Sequence, residues 1–206
     1  ANEFTVASFN MQRFVGTVSA AEFAKRLNKS SLAIRGVLQT PDVLGVQEID
    51  SLATLQTLAA KVNADAVAAG QPDPGYAAYL EEGNDPGGID VGFLVRTERV
   101  TNITIVQEGK NATYVDPGDG SVDLLNDRPP LLLMADVQGF GLSVRVTVIV
   151  NHLRSLGGVD DPVNGRVRAK RQAQAEFLAN LIQARQIADP GERIISVGDY
   201  NAFEVN

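Results

Sequence analysis

The chain has 206 residues and is 44% hydrophobic, enough for one globular core. It holds no cysteine and one histidine, His152, which excludes a disulfide framework and leaves zinc without its usual nitrogen and sulfur ligands. A net charge of −7 argues against a general nucleic-acid coat protein, so contact with a polyanion has to be local or carried by a metal cation. No apolar run approaches the roughly 18 residues needed to span a bilayer. Oxygen ligands are plentiful, and these favour magnesium, manganese or calcium.

The first expected strand is Phe4 to Phe9, ending at Asn10. Ser19-Ala-Ala-Glu22 reads as a capping box, and Phe23, Leu27, Ile34, Val37 and Leu38 carry a helical pattern to Pro41. Val43 to Val46 is a second strand, closed by Gln47 and Glu48. A helix from Ser51 to Ala69 follows, stopped by Gly70 and Pro72. Strands are expected at Tyr76 to Leu80, Asp90 to Arg96 and Asn102 to Val106. The intervening Gln71 to Gly75 and Glu82 to Gly88, and the later Asp116 to Asp119 and Asn126 to Pro130, read as loops. Leu131 to Val137 and Leu142 to Val150 form a hairpin joined at Gln138 to Gly141. A long helix from Arg166 to Ala188 ends at Asp189-Pro190-Gly191, and Ile194 to Val197 is the last strand. There is neither repeat nor linker, so residues 1–206 form one domain or part of one. Strands grouped between helices point to a mixed sheet or sandwich faced by helices.

Four of these apolar runs end in residues that can do chemistry: Asn10; Glu48; Asn151 and His152; Asp199 and Asn201. A sheet gathers such ends along one rim, where ligands bind in open sheets with helical crossovers. Singly, each has a plainer reading. Asn10, Asp199 and Asn201 are turn formers, Glu48 a solvated strand end, and His152 a loop histidine with a satisfied ring. Together, at four strand ends, the plain reading loses ground.

The strings Ala7-Ser-Phe-Asn10, Val46-Gln-Glu48, Asn151-His152-Leu-Arg-Ser155 and Gly198-Asp-Tyr-Asn201 resemble, in order and rough spacing, the motifs of the endonuclease/exonuclease/phosphatase superfamily. Gly88-Ile-Asp-Val-Gly-Phe-Leu-Val95 resembles the family's central strand, which often supplies a partner for the motif histidine. The resemblance implies an α+β, DNase I-like four-layer α/β/β/α sandwich and metal-dependent hydrolysis of a phosphoester. It implies Mg2+ (with Mn2+ or Ca2+ as alternatives) held by Glu48 with help from Asn10. Asp199 then orients or deprotonates the attacking water, and Asn201 and His152 donate hydrogen bonds to the transition state. Asp90 is the expected partner that raises the pKa of His152. Arg154 is the expected contact to substrate phosphate.

The basic segment Arg166, Arg168, Lys170 and Arg171 covers more than one helix face, so it reads either as a solvated helix start or as phosphate-backbone contact by one or two of its members. Asp116-Pro-Gly-Asp-Gly-Ser121 lacks the spacing of an EF-hand and reads as a turn. Family members continue beyond the Gly-Asp-x-Asn strand to a further aspartate and a terminal Ser-Asp-His motif, for which this sequence has no second histidine. Either the chain is a fragment of a longer protein or it is a degenerate member, and its intact motifs favour the fragment. The expectation is a weak or inactive N-terminal part, completed by a C-terminal segment or a homodimer. The parent is expected to be a bacterial, secreted nuclease acting on DNA. Phospholipid or inositol-phosphate hydrolysis, or a non-catalytic binding module, are the alternatives.

Overall fold

Adjacent apolar residues on the central strands bury against different layers, which divides the interior into three cores. The computed structural model describes residues 3–139, 142–161 and 165–202. One sheet has the order β1-β2-β4-β3, formed by β1 (Val6–Phe14), β2 (Val43–Ile49), β3 (Tyr76–Leu80) and β4 (Asp90–Arg96). The other has the order β10-β9-β8-β5, formed by β5 (Val100–Gln107), β8 (Leu131–Gly139), β9 (Leu142–His152) and β10 (Ile194–Asp199). The helices are α1 (Ala20–Gly36), α2 (Leu52–Ala68) and α3 (Arg166–Ala188). On β2, Val43 faces the second sheet, while Leu44 and Val46 face α1 and α2. On β8 and β9, Leu131, Leu133, Val148 and Val150 face the first sheet, while Leu132 and Ile149 face Leu178 of α3. The period of two in these strands therefore produces the four layers α/β/β/α, as expected.

Several elements follow their sequence signals closely. Ser19 caps α1 by accepting from the Glu22 N–H at 3.3 Å, while the Glu22 carboxylate turns to Arg26. Ser51 caps α2 through the Thr54 N–H at 3.2 Å. A short hairpin, β6 (Thr113–Val115) and β7 (Val122–Leu124), flanks the turn at Asp116–Ser121 and was not expected from the sequence. At three residues each, its strands are too short to show an alternating pattern. The turn of the β8–β9 hairpin lies partly outside the described residues.

Two strand pairs set up the functional rim. β1 runs parallel to β2, and β9 runs parallel to β10, so all four end on the same side of the molecule. At this margin the sheets approach closely. A methyl on Gly45 would lie 3.0 Å from side-chain carbons of both Val150 and Val197. The strands also run further than the apolar runs indicate. β1 continues past Asn10 to Phe14, β2 includes Glu48, β9 ends on His152, and β10 ends on Asp199.

Candidate active site

Bulges aim the first two polar side chains. In β1 the register shifts between Asn10 and Phe14, where Gln12 and Arg13 take φ of 51° and 54°. In β2 it shifts around Glu48, which holds φ at 67°. A glutamate in the left-handed region carries a conformational cost that the surrounding structure has to offset. The Glu48 carboxylate is fixed on both oxygens: Oε2 accepts from the Arg13 backbone N–H at 2.7 Å, and Oε1 accepts from Asn10 Nδ2 at 3.0 Å. Asn10 Oδ1 in turn accepts from the Gln12 N–H at 2.9 Å, which fixes the orientation of the amide.

The second sheet brings the rest. Gly198 holds φ at 140°, and a Cβ there would lie 2.1 Å from the Asn151 carbonyl oxygen, so only glycine fits before Asp199. Asp199 Oδ2 accepts from Asn10 Nδ2 at 2.8 Å, and its Oδ1 accepts from the Asn201 N–H at 2.8 Å. His152 is buried, with Nε2 3.8 Å from Asp199 Oδ2 and 4.0 Å from Glu48 Oε1. Its Nδ1 has no hydrogen-bond partner among the described residues. In the neutral ring this places the proton on Nε2, facing the two carboxylates, and leaves a bare lone pair buried on Nδ1.

Two sequence expectations need correction. Asp90 does not hold the histidine: its Oδ1 accepts from the Gly83 N–H at 2.7 Å, under the loop before β4. The His152 pKa is not raised but lowered to about 4, because burial and the Arg128 guanidinium outweigh the pull of Asp199 and Glu48. Burial likewise pushes the Asp90 carboxyl up, to about 6, against the Gly83 hydrogen bond. Asn201 lies at the rim as expected, but its Nδ2 donates to the Leu153 carbonyl at 2.9 Å. In this arrangement one N–H of the amide braces the loop after His152, and the second is left for another acceptor.

Arg154 is half-buried beside the cleft. Its Nη1 is 3.7 Å from Asp127 Oδ2, with nearly half of the side chain exposed and able to reach solvent. A cleft of about 260 Å³ is lined by Arg13, Glu48, Asp85, Arg128, His152 and Arg154. Arg128 and Asp85 were missed in the sequence. They form a nearly buried ion pair, and Arg128 also donates to the carbonyls of His152 at 3.3 Å and Leu153 at 3.2 Å. Only the position of Arg128 directly before Pro129-Pro130 and a strand hinted at a fixed role.

The donor set suits a hard divalent cation. Glu48 and Asp199 share one neutral amide donor, their nearest ring is an uncharged histidine, and no Lys or Arg pairs with either among the described residues. Two carboxylates facing each other without a cation leave negative charge to be offset. No group of three or more His, Cys, Asp or Glu forms a full metal cage among the described residues. Magnesium needs no such cage, because it keeps several waters and takes one or two carboxylates.

No protein-family model and no curated protein matches the sequence. Solved structures do. TDP2 from Caenorhabditis elegans superposes with a TM-score of 0.57 at 18% identity, over 98% of this chain and 48% of TDP2. An endonuclease/exonuclease/phosphatase family protein from Bacteroides thetaiotaomicron gives 0.57 at 14% identity, over 98% of this chain and 65% of its own. D. rerio TDP2 complexed with a single-strand DNA product gives 0.51 at 21% identity, over 98% and 62%. The chain thus spans about half the length of C. elegans TDP2. At these identities the likeness establishes the fold alone, the DNase I-like four-layer sandwich.

Proposed function

We propose that this chain carries the metal side of a divalent-metal-dependent phosphodiesterase acting on DNA. The observation that carries the reading is the convergence of Asn10, Glu48, His152 and Asp199 from four strand ends of two sheets. Glu48 would hold Mg2+ or Mn2+, with Asn10 fixing its carboxylate. The bound cation would supply Lewis-acid polarisation of a phosphoryl oxygen and offset charge on the leaving oxygen.

The remaining work falls to the chain's own groups. Asp199, held by Asn10 and by the Asn201 backbone, accepts a hydrogen bond from the attacking water and orients it in line. His152 Nε2–H donates to a phosphoryl oxygen, acting as a neutral donor, since its pKa is lowered to about 4. Arg154 contacts the adjoining phosphate. The arginines of the cleft give local positive charge to a protein whose net charge is −7. DNA is favoured because a structural neighbour is complexed with a DNA product. A phospholipid substrate is the second reading, supported by the exposed Val115, Val122 and Leu124 on the β6–β7 hairpin.

The test is hydrolysis of single- and double-stranded DNA, RNA and phospholipid vesicles by the full chain in Mg2+ or Mn2+. DNA cleavage abolished by EDTA and by Glu48→Gln is the expected result. Absence of EDTA-sensitive cleavage of any of them overturns the reading, and cleavage of lipid alone moves it to the second.

A further inference from the structure

The first turns of α3 hold four cations, and each bonds to a group of this chain, two of them at the surface. Arg166 pairs with Asp116 at 2.9 Å and Asp123 at 2.7 Å. Arg168 donates to the Val159 carbonyl at 3.0 Å. Lys170 is buried against Asp127 at 2.7 Å. Arg171 differs in what it joins. Its Nη1 donates to the Arg154 carbonyl, while Nη2 donates to the Asn201 carbonyl at 2.8 Å and lies 3.5 Å from that of Tyr200. These carbonyls belong to the two loops that follow His152 and Asp199. Lys170 and Arg171 therefore turn inward, while Arg166 and Arg168 remain exposed at a solvated helix start.

We propose that Arg171 is a positioning residue, which sets the His152 loop against the Asp199 loop by bonding a carbonyl of each with one guanidinium. The inference rests on the function proposed above for that site. Three further bonds cross the same gap or anchor it: Leu153 N–H to the Asp199 carbonyl at 3.0 Å, Asn201 Nδ2 to the Leu153 carbonyl at 2.9 Å, and Arg154 N–H to Gln174 Oε1 at 2.8 Å. Arg171 closes this set from the helix side. A planar fork with fixed N–H directions can hold two carbonyls at one spacing, which a lysine ammonium on a flexible stem cannot. The grip falls where the backbone needs it, because Asn201 holds φ at 47°. Without Arg171 the peptide after Asp199 is free to relax, and Asp199 drifts from Asn10 and His152. Displacements of about 1 Å at a catalytic group cost on the order of 100-fold in rate.

Arg171→Met, Arg171→Lys, Arg154→Met and Arg168→Met in the full chain separate the possibilities. Arg168→Met is the control for loss of a loop bond away from the site. For Arg171→Met, kcat is expected to fall about 100-fold with KM changed less than about threefold. Mn2+ affinity, titrated without substrate, is expected to fall, and amide exchange at Leu153 and Asn201 to quicken. Arg171→Lys recovers little, and serves in place of Arg171→Met if that variant does not fold. Arg154→Met instead raises KM and lowers the salt dependence. A KM effect with unchanged kcat in Arg171→Met overturns the proposal, as does an equal kcat loss in Arg168→Met. If the chain turns over none of the substrates, amide exchange decides: unchanged protection of Leu153 and Asn201 in Arg171→Met overturns the positioning role whatever the reaction is.

Discussion

Asn10 on β1 donates its side-chain amide to Asp199 on β10 at 2.8 Å, a hydrogen bond that ties the edge of one sheet to the edge of the other. The same nitrogen also bonds Glu48, so a single amide spaces the two carboxylates. Asn10→Ala is expected to lower Mg2+ affinity and turnover by about 10- to 100-fold, as losses of groups that orient metal ligands do. Calorimetric titration of Mg2+ and a turnover assay on the same preparation check it. Unchanged Mg2+ affinity would count against Asn10 as the element that orders Glu48.

Glu48→Gln keeps the shape of the side chain but removes its charge. Turnover should fall by on the order of 10²- to 10³-fold. In EDTA the Tm should move by less than about 2 °C, because relief of charge is opposed by the loss of one of the two acceptors that meet the Arg13 N–H and Asn10 Nδ2. Adding Mg2+ should raise the parent's Tm and leave that of the variant nearly unmoved. Melting curves with and without metal give all three numbers.

Gly198→Ala tests the backbone instead of the chemistry. The added methyl would meet the Asn151 carbonyl 2.1 Å away, between two paired strands that cannot part without losing the sheet. A loss of at least about 3 kcal/mol is expected from denaturant unfolding. Gly45→Ala, whose methyl would meet only side-chain carbons at 3.0 Å, should cost about 1 kcal/mol.

Asp90 gives the fold a pH dependence. Its folded pKa of about 6 lies above the ordinary carboxyl value, so the native state holds this proton more tightly than the unfolded chain. Its contribution is complete below the unfolded pKa and is lost as pH rises through about 6. Asp90→Asn keeps an acceptor for the Gly83 N–H and carries no charge. It should match the parent near pH 3.5 and exceed it by about 1–3 kcal/mol at pH 8. Equal stability at pH 8 would show that Asp90 ionises without cost.

The layers and most strand limits were legible because alternation and helix caps are local signals. Leu44 and Val46 against Val43 record two burying faces in four residues. Tyr76–Leu80 and Asp90–Arg96 begin and end where turn residues stop the apolar run. The four rim positions were legible as a set, since polar residues closing apolar strands share one side of a sandwich. Partnerships across the rim were not. Nothing in the spacing distinguishes Asp90, turned to Gly83, from Asp85, turned to Arg128. The charge on His152 was misread for a related reason. Burial depth and a guanidinium contributed by a distant loop decide it, and neither is written next to the histidine.

The bond from Asn10 to Asp199 joins residues 189 positions apart. Contacts of such separation close the longest loop in a chain and are made late, after the local helices and hairpins have formed. The first sheet, with α1 and α2, can assemble from residues before Arg99, yet the pair of carboxylates does not exist until β10 docks. Affinity for Mg2+ should therefore emerge only in the last folding step. A stopped-flow refolding experiment read by a metal-sensitive probe would time that step separately from the growth of secondary structure.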